Sequence, residues 1–207
     1  METLSQHDKL TQKKFDKWAE KFEERGFFKY FQKRVISLIN LQSNSNFLDI
    51  GCGTGWAVRY VSILLEGQGH FVGIDISQKM IEKAKEFARG LAGPSFHLAS
   101  SENLPAENDF FDNIICTFSF HHYLNPEKAL SEATRVLKPQ GRIYVLDFTA
   151  DDFLTRWIDR TVLKMEKSHV QEWSTSEFKE MFSLSGLKYI ESKTILFYPI
   201  KVHIAEK

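Results

Sequence analysis

Two rhythms of apolar residues alternate along the middle of the chain. Short unbroken runs, Phe47-Leu48-Asp49-Ile50, Phe71-Val72-Gly73-Ile74-Asp75 and Phe110 to Thr117, have strand length and end at glycine or polar turns. Between them apolar residues recur every three or four positions, at Ala57, Tyr60, Val61, Leu64 and Leu65, then at Met80, Ile81, Ala84, Ala88 and Leu91. Unbroken runs suit strands buried on both faces, and the three-to-four spacing suits helices with one buried face. This alternation predicts βαβ units and a mostly parallel sheet. A short strand, Ser95 to Ala99, follows Gly93-Pro94. A helix over 126–137, with Ala129, Leu130, Ala133, Val136 and Leu137 inward, leads through the turn Lys138-Pro139-Gln140-Gly141 into a fifth strand, Arg142 to Phe148. Two late strands, about Leu187 to Glu191 and Thr194 to Ala205, close the sheet.

The flanks read as helical. Residues 10–40 give two helices broken at Gly26, with one stripe of Phe15, Trp18, Ala19 and Phe22 and a second of Phe27, Phe28, Phe31, Val35, Ile36 and Ile39. After the fifth strand, Asp151 or Asp152 can cap a helix carrying Phe153, Trp157, Ile158, Val162 and Met165. Ser174-Thr175-Ser176-Glu177 has the pattern of a capping box and opens a helix with Phe178, Met181, Phe182 and Leu184. The expected organisation is one domain over residues 1–207: a helical cap at 1–42, a ligand-binding core at 43–150, and a helical insert with the last strands at 151–207.

The first strand carries the chemistry. It stops at Gly51, Gly53 and Gly55 and passes at once into a helix. Such a loop lets backbone approach a ligand closely, and the helix points its first N–H groups at it. The spacing is G-x-G-x-G. A dinucleotide fingerprint needs a third glycine where Trp56 stands, and no Lys-Ser/Thr pair follows to make a phosphate loop. Asp75 ends the second strand, twenty residues past Gly55, where a carboxylate can accept hydrogen bonds from ribose hydroxyls. A ligand with a ribose and no pyrophosphate is the expectation. The adjacent His121-His122, just before Asn125-Pro126, leaves three readings open: a general base, packing, or the weaker one of a metal site with no third ligand in view. Asp147, at the crevice end of the fifth strand, is a substrate contact or a helix-cap partner.

Composition narrows the class. Lys plus Arg and Asp plus Glu are both 27, so the chain has no net charge and no support for a nucleic-acid partner. Two cysteines, Cys52 and Cys116, make neither a disulfide framework nor a zinc site. No apolar run approaches membrane-spanning length, and the first residues lack a signal pattern. A soluble, reduced, cytoplasmic protein, a monomer or homodimer without membrane insertion, is the expectation.

Taken in order, Leu48 to Gly55, Gly73-Ile74-Asp75-Ile76-Ser77, Glu102-Asn103-Leu104-Pro105, Phe111-Asp112, His121-His122 and Leu137 to Arg142 resemble the class I S-adenosylmethionine (SAM) dependent methyltransferases. Within that class the series is similar to the subgroup holding the ubiquinone and menaquinone C-methyltransferases. The resemblance covers roughly residues 45 to 150. It implies a Rossmann-like, doubly wound, seven-stranded sheet with one antiparallel strand. It also implies methyl transfer from SAM to a small molecule, leaving S-adenosylhomocysteine. On that basis Asp49, Gly51, Cys52, Gly53, Gly55, Asp75, Ile76, Ser101, Glu102 and Phe118 are expected around SAM, and His121 and His122 are the catalytic candidates. Phe15, Trp18 and Phe22 become lid candidates beside plain packing, and Trp157, His169 and Trp173 candidates for shaping the substrate pocket. Many members carry aspartate where Ser100 stands and tyrosine where Phe22 stands. The Asn/Asp-Pro-Pro-aromatic sequence of exocyclic-amine methyltransferases is absent, and the cysteine count excludes a three-cysteine arsenite site. The competing expectation is a non-catalytic SAM-binding or adaptor protein with the same fold.

Overall fold

The computed structural model describes residues 5–22, 26–165, 167–197 and 199–207, and all side chains of these except those of 162–164. The Val162 side chain of the expected insert stripe and Tyr198 of the expected last strand therefore lie outside the described residues. Two helices, α1 (Gln6–Phe22) and α2 (Gly26–Ile36), precede β1 (Phe47–Ile50). Then come α3 (Trp56–Leu64), β2 (Phe71–Asp75), α4 (Gln78–Phe87), β3 (Pro94–Leu98) and β4 (Phe111–Thr117). A 3₁₀ turn (Phe120–His122), α5 (Pro126–Val136), β5 (Leu137–Phe148), α6 (Phe153–Met165), α7 (Thr175–Leu184), β6 (Lys188–Thr194) and β7 (Ile200–Glu206) complete the chain.

The seven strands run in the order β3-β2-β1-β4-β5-β7-β6. β1 pairs in parallel with β2 and β4, β2 with β3, and β4 with β5. β7 runs antiparallel to both β5 and β6, so the expected single antiparallel strand is β7. The order reverses beside β1, between β2 and β4, and the carboxyl ends at that point form the crevice where ligands bind in doubly wound sheets. Phe31, Val35 and Ile36 of α2, Val58 and Val61 of α3, and Ile81 and Ala84 of α4 bury one face of the sheet. Leu130 and Ala133 of α5 with Phe178 and Phe182 of α7 bury the other. Burying both faces is what demands the mostly apolar β1 and β4.

Several boundaries differ from expectation for local reasons. β5 starts at Leu137 and absorbs the expected turn, with Gln140 in the left-handed region at φ 66°. β7 starts at Ile200, after Leu196 at φ 69°, and Ile195 N donates to the Ile200 carbonyl across the hairpin. α4 ends at Phe87, leaving Leu91 exposed, and Leu64 of α3 is also exposed. The capping box forms: the Ser174 hydroxyl accepts from Glu177 N, and Ser174 N donates to the Glu177 carboxylate. α6 presents Phe153, Trp157, Ile158 and Met165 outward and buries Thr155 and Asp159. Its inner face is polar because Asp152 and Thr155 bond each other at its start and Asp159 binds the following loop. Among the described residues, no helix is long and apolar enough to cross a membrane.

Candidate active site

The carboxyl ends of β1, β2 and β4 and the inner side of α1 and α2 enclose a cavity of about 250 Å³. Its floor is the glycine loop, and the loop's conformation explains the residue types. Gly51, Gly53 and Gly55 have φ of 77°, 53° and 76°, where a side chain is strained. A Cβ on Gly51 would lie 2.2 Å from the Ser119 hydroxyl, and one on Gly53 would lie 3.1 Å from the Phe22 ring. Gly55 serves a different purpose. It caps α3 against Phe96, 2.4 Å from where its Cβ would sit. Gly51, Cys52 and Gly53 line the cavity; Gly55 and Asp49 do not.

Two carboxylates shape this floor. Asp75 Oδ2 accepts from Gly53 N at 2.9 Å and Oδ1 from Ser77 N at 2.8 Å, tying the loop to the start of α4. Burial raises the Asp75 carboxyl to about 6 against the pull of those donors. Asp49 is fully buried, and neither oxygen has a hydrogen-bond partner among the described residues. Burial first, and then the Asp75 charge, push Asp49 up to about 8. The same causes raise the buried Cys52 thiol.

Aromatic rings form the walls. Phe15, Trp18 and Phe22 of α1 and Phe27 and Phe28 of α2 face the cavity, with Phe118 and Phe148 from the strand ends. Phe118 has a φ of 51° and sits 5.4–5.6 Å, ring to ring, from Phe27, Phe28, Phe31 and Phe148. α1 is fastened by Asp16, whose Oδ1 accepts from the Ser77 hydroxyl at 2.6 Å and from Lys79 N at 3.3 Å. Lys14 also lines the cavity, its ammonium 4.7 Å from the Trp18 ring centre, and burial lowers it to about 8. Ile76, Ser101 and Glu102 complete the β2–β3 side, where the Ser100 hydroxyl accepts from Glu102 N.

The two histidines occupy opposite settings on the far wall. Asp147, at the end of β5, accepts from His121 N through Oδ2 at 3.0 Å and contacts His121 Nδ1 through Oδ1 at 2.8 Å. A carboxylate only accepts, so Nδ1 carries the proton that points at Asp147. His122 Nδ1 donates to the Ser168 carbonyl, and the His122 carbonyl bonds His7 Nε2. Burial, then the charges of His121 and Lys14, hold His122 far below the ordinary imidazole range, so it stays neutral. Tyr123 and Ser119 share a hydrogen bond of 3.1 Å beneath the glycine loop.

Of the residues expected from sequence, the structure brings Gly51, Cys52, Gly53, Asp75, Ile76, Ser101, Glu102, Phe118, His121 and His122 to one cavity. Phe15, Trp18 and Phe22 join them. Trp157, His169 and Trp173 are not among its lining residues. Asp147 holds His121, a role outside the two expected for it. Sequence reasoning missed Lys14 and Tyr123, while Thr117 and Ser119 flank Phe118 at the end of β4, where the strand-end rule points.

A parallel sheet reversing beside β1, with a glycine loop, a strand-end acid and an aromatic-walled cavity, defines the Rossmann-like methyltransferase fold. The methyltransferase-domain family matches residues 41–186, and the chain belongs to it. It is 33% identical over 159 residues to the uncharacterized methyltransferase YcgJ of Bacillus subtilis, a match spanning 75% of this chain and 62% of YcgJ. It is 32% identical over 127 residues to the ubiquinone/menaquinone biosynthesis C-methyltransferase UbiE of Vibrio parahaemolyticus, spanning 60% of this chain and 49% of UbiE. The matched region is thus about half to three-fifths of those relatives' length. The crystal structure of YcgJ superposes with a TM-score of 0.70 at 29% identity, covering 81% of this chain and 73% of that one. A SAM-dependent methyltransferase from Aquifex aeolicus shares the fold, with a TM-score of 0.68 at 22% identity over 84% and 88% of the two chains.

Family and fold imply SAM as the methyl donor, and the cavity fits it. SAM is cationic at sulfur, and the walls offer aromatic faces that attract cations. Asp49, buried and without a donor beside the loop, is the kind of group a nearby cation stabilises.

Proposed function

We propose that this chain moves a methyl group from SAM to a small-molecule acceptor, with His121 as the general base. The observation that carries the reading is the His121–Asp147 pair on the wall opposite the glycine loop. In this reading Gly51, Gly53 and Asp75 hold the donor's ribose and amino-acid portion. Ile76, Ser101 and Glu102 flank its base, and Phe118 and the α1 rings cover the reacting centre. When bound, SAM supplies an electrophilic methyl carbon on a sulfonium. His121 Nε2 takes the proton that the acceptor atom loses, and Asp147 stabilises the resulting imidazolium. The aromatic walls exclude water and favour a flat or apolar acceptor. Phenolic and quinol-type precursors suit that wall, as the name of the UbiE relatives also suggests.

The test is a methyl-transfer screen with labelled SAM over phenols, quinone precursors, amines and thiols, run on wild type and His121→Ala. Wild type should label an aromatic or enolic acceptor. The variant should lose about 10²–10⁴-fold in kcat with unchanged SAM affinity, the usual share of a general base. Full activity in His121→Ala would remove the base assignment. Tight SAM binding with no turnover on any acceptor class would favour the non-catalytic SAM-binding alternative.

A further inference from the structure

Behind His121, outside the cavity, a second group of chemistry-bearing side chains meets on the insert. Asp159 projects from the inner face of α6, and His169 and Glu172 come from the loop that follows. One ligand atom from each lies within 4.8 Å of the other two. Asp159 Oδ1 is 2.6 Å from His169 Nε2 and accepts from Glu172 N at 3.0 Å. Asp159 and His169 are buried. Glu172 is half-buried, and its carboxylate faces this pair.

We propose that Asp159, His169 and Glu172 form a site for a divalent transition-metal ion of the zinc or manganese class. One imidazole and two carboxylates are a donor set such ions accept, and the remaining positions go to water. The 2.6 Å between Asp159 Oδ1 and His169 Nε2 is a little shorter than the ~3 Å that separates neighbouring ligand atoms at metal–ligand distances of about 2.1 Å. A small outward movement of the two side chains therefore admits the ion. The His169 ring proton moves from Nε2 to Nδ1, which leaves Nε2 free for the ion.

The position gives the site a consequence. The loop between α6 and α7 rests on the histidine wall: Val170 N donates to the His121 carbonyl at 2.9 Å, and His122 Nδ1 donates to the Ser168 carbonyl. The His169 ring is 5.2 Å from the His121 ring. A metal ion here clamps that loop onto the His121 carbonyl and the His122 ring without entering the cavity. The role is structural support, and the proposal stands apart from the methyl-transfer reading.

The test measures metal binding directly on the full chain, purified with chelator and then dialysed free of it. Zn²⁺ and Mn²⁺ are titrated by calorimetry, and Co²⁺ is used as a spectroscopic probe. Wild type should bind one ion per chain, gain melting temperature, and give a Co²⁺ absorption showing nitrogen and oxygen ligands. Glu172→Gln and His169→Gln should each weaken binding by at least about a hundredfold, since losing a direct ligand costs no less than losing a supporting one. The Glu172 side chain makes no hydrogen bond among those described, so Glu172→Gln should fold normally, and its metal-free melting point should match or exceed wild type. No stoichiometric binding by wild type, or equal binding by wild type and Glu172→Gln, would overturn the site and leave Asp159–His169 as a hydrogen-bonded pin.

Discussion

The glycine-loop half of the cavity and the histidine half are built on different principles. The loop half is made by backbone: positive φ at Gly51 and Gly53, N–H groups tied to Asp75, and a helix starting at once. The histidine half is made by side chains reaching across the fold, with Asp147 on His121 and Ser168 on His122. A backbone site fixes residue type at fixed spacing, so it recurs across acceptors. A side-chain site can change with the insert that supplies it. The glycine-loop half thus rests on residue type at fixed spacing, and the histidine half on contacts between distant parts of the chain.

The sharpest way to break the contrast is at Gly51. Gly51→Ala places a methyl in a left-handed residue and against the Ser119 hydroxyl. The expected cost is about 2–5 kcal/mol from strain and overpacking together, with SAM affinity lost. Chemical denaturation with calorimetry checks both, and a stable variant that binds SAM would show that the loop is not fixed by its backbone.

Asp49 is next, and pH sets the sign. Its folded value is about 8 against an ordinary 3.8, so the folded state holds the proton more tightly than the unfolded state does. That contribution is fully present below about pH 4 and is lost as pH rises toward 8. Asp75, raised to about 6, acts in the same direction. SAM-free wild type should therefore lose stability between pH 5 and 8. Asp49→Asn should flatten the profile and gain on the order of 2 kcal/mol at pH 8 by removing an unpaired buried charge, while binding SAM less well. Denaturant midpoints at the two pH values test it; parallel profiles for the two proteins would sink the idea.

Asp75→Ala should weaken SAM binding by at least about tenfold, since a charge-assisted hydrogen bond is worth roughly 1.5–3 kcal/mol. Sequence alone suggests that the fold survives this change untouched. The structure corrects that expectation: Asp75 also holds Gly53 N and Ser77 N, so the melting point should fall as well. Unchanged affinity with a lower melting point would leave Asp75 a purely structural residue.

The smallest expected effect is in α1. If its aromatic face covers the donor, SAM should slow hydrogen exchange over residues 6–22 severalfold and leave β1 unchanged. Equal exchange with and without SAM would make Phe15, Trp18 and Phe22 ordinary packing.

How far the sequence speaks follows the same division. The buried parallel strands and the glycine loop were legible because burial on both faces and positive φ each demand particular residue types. The His121–Asp147 pair was not, since 26 residues separate its members and only the parallel register of β4 and β5 joins them. α6 was read by its apolar stripe, yet the described members Phe153, Trp157, Ile158 and Met165 face out. Its inner face is held by hydrogen bonds, which leave no periodic signal. Asp49 was legible as part of a motif, while its lack of a donor depends on packing that no spacing reveals.

Phe118 has a mechanical consequence. A phenylalanine at φ 51° costs about 1–2 kcal/mol in backbone energy. Contact with Phe27, Phe28 and Phe31 of α2 and with Phe148 offsets that cost. If α2 moves away, the contacts go and the peptide gains by relaxing. The joint is a loaded spring with α2 as its catch, so the cap's position is coupled to the shape of the cavity wall.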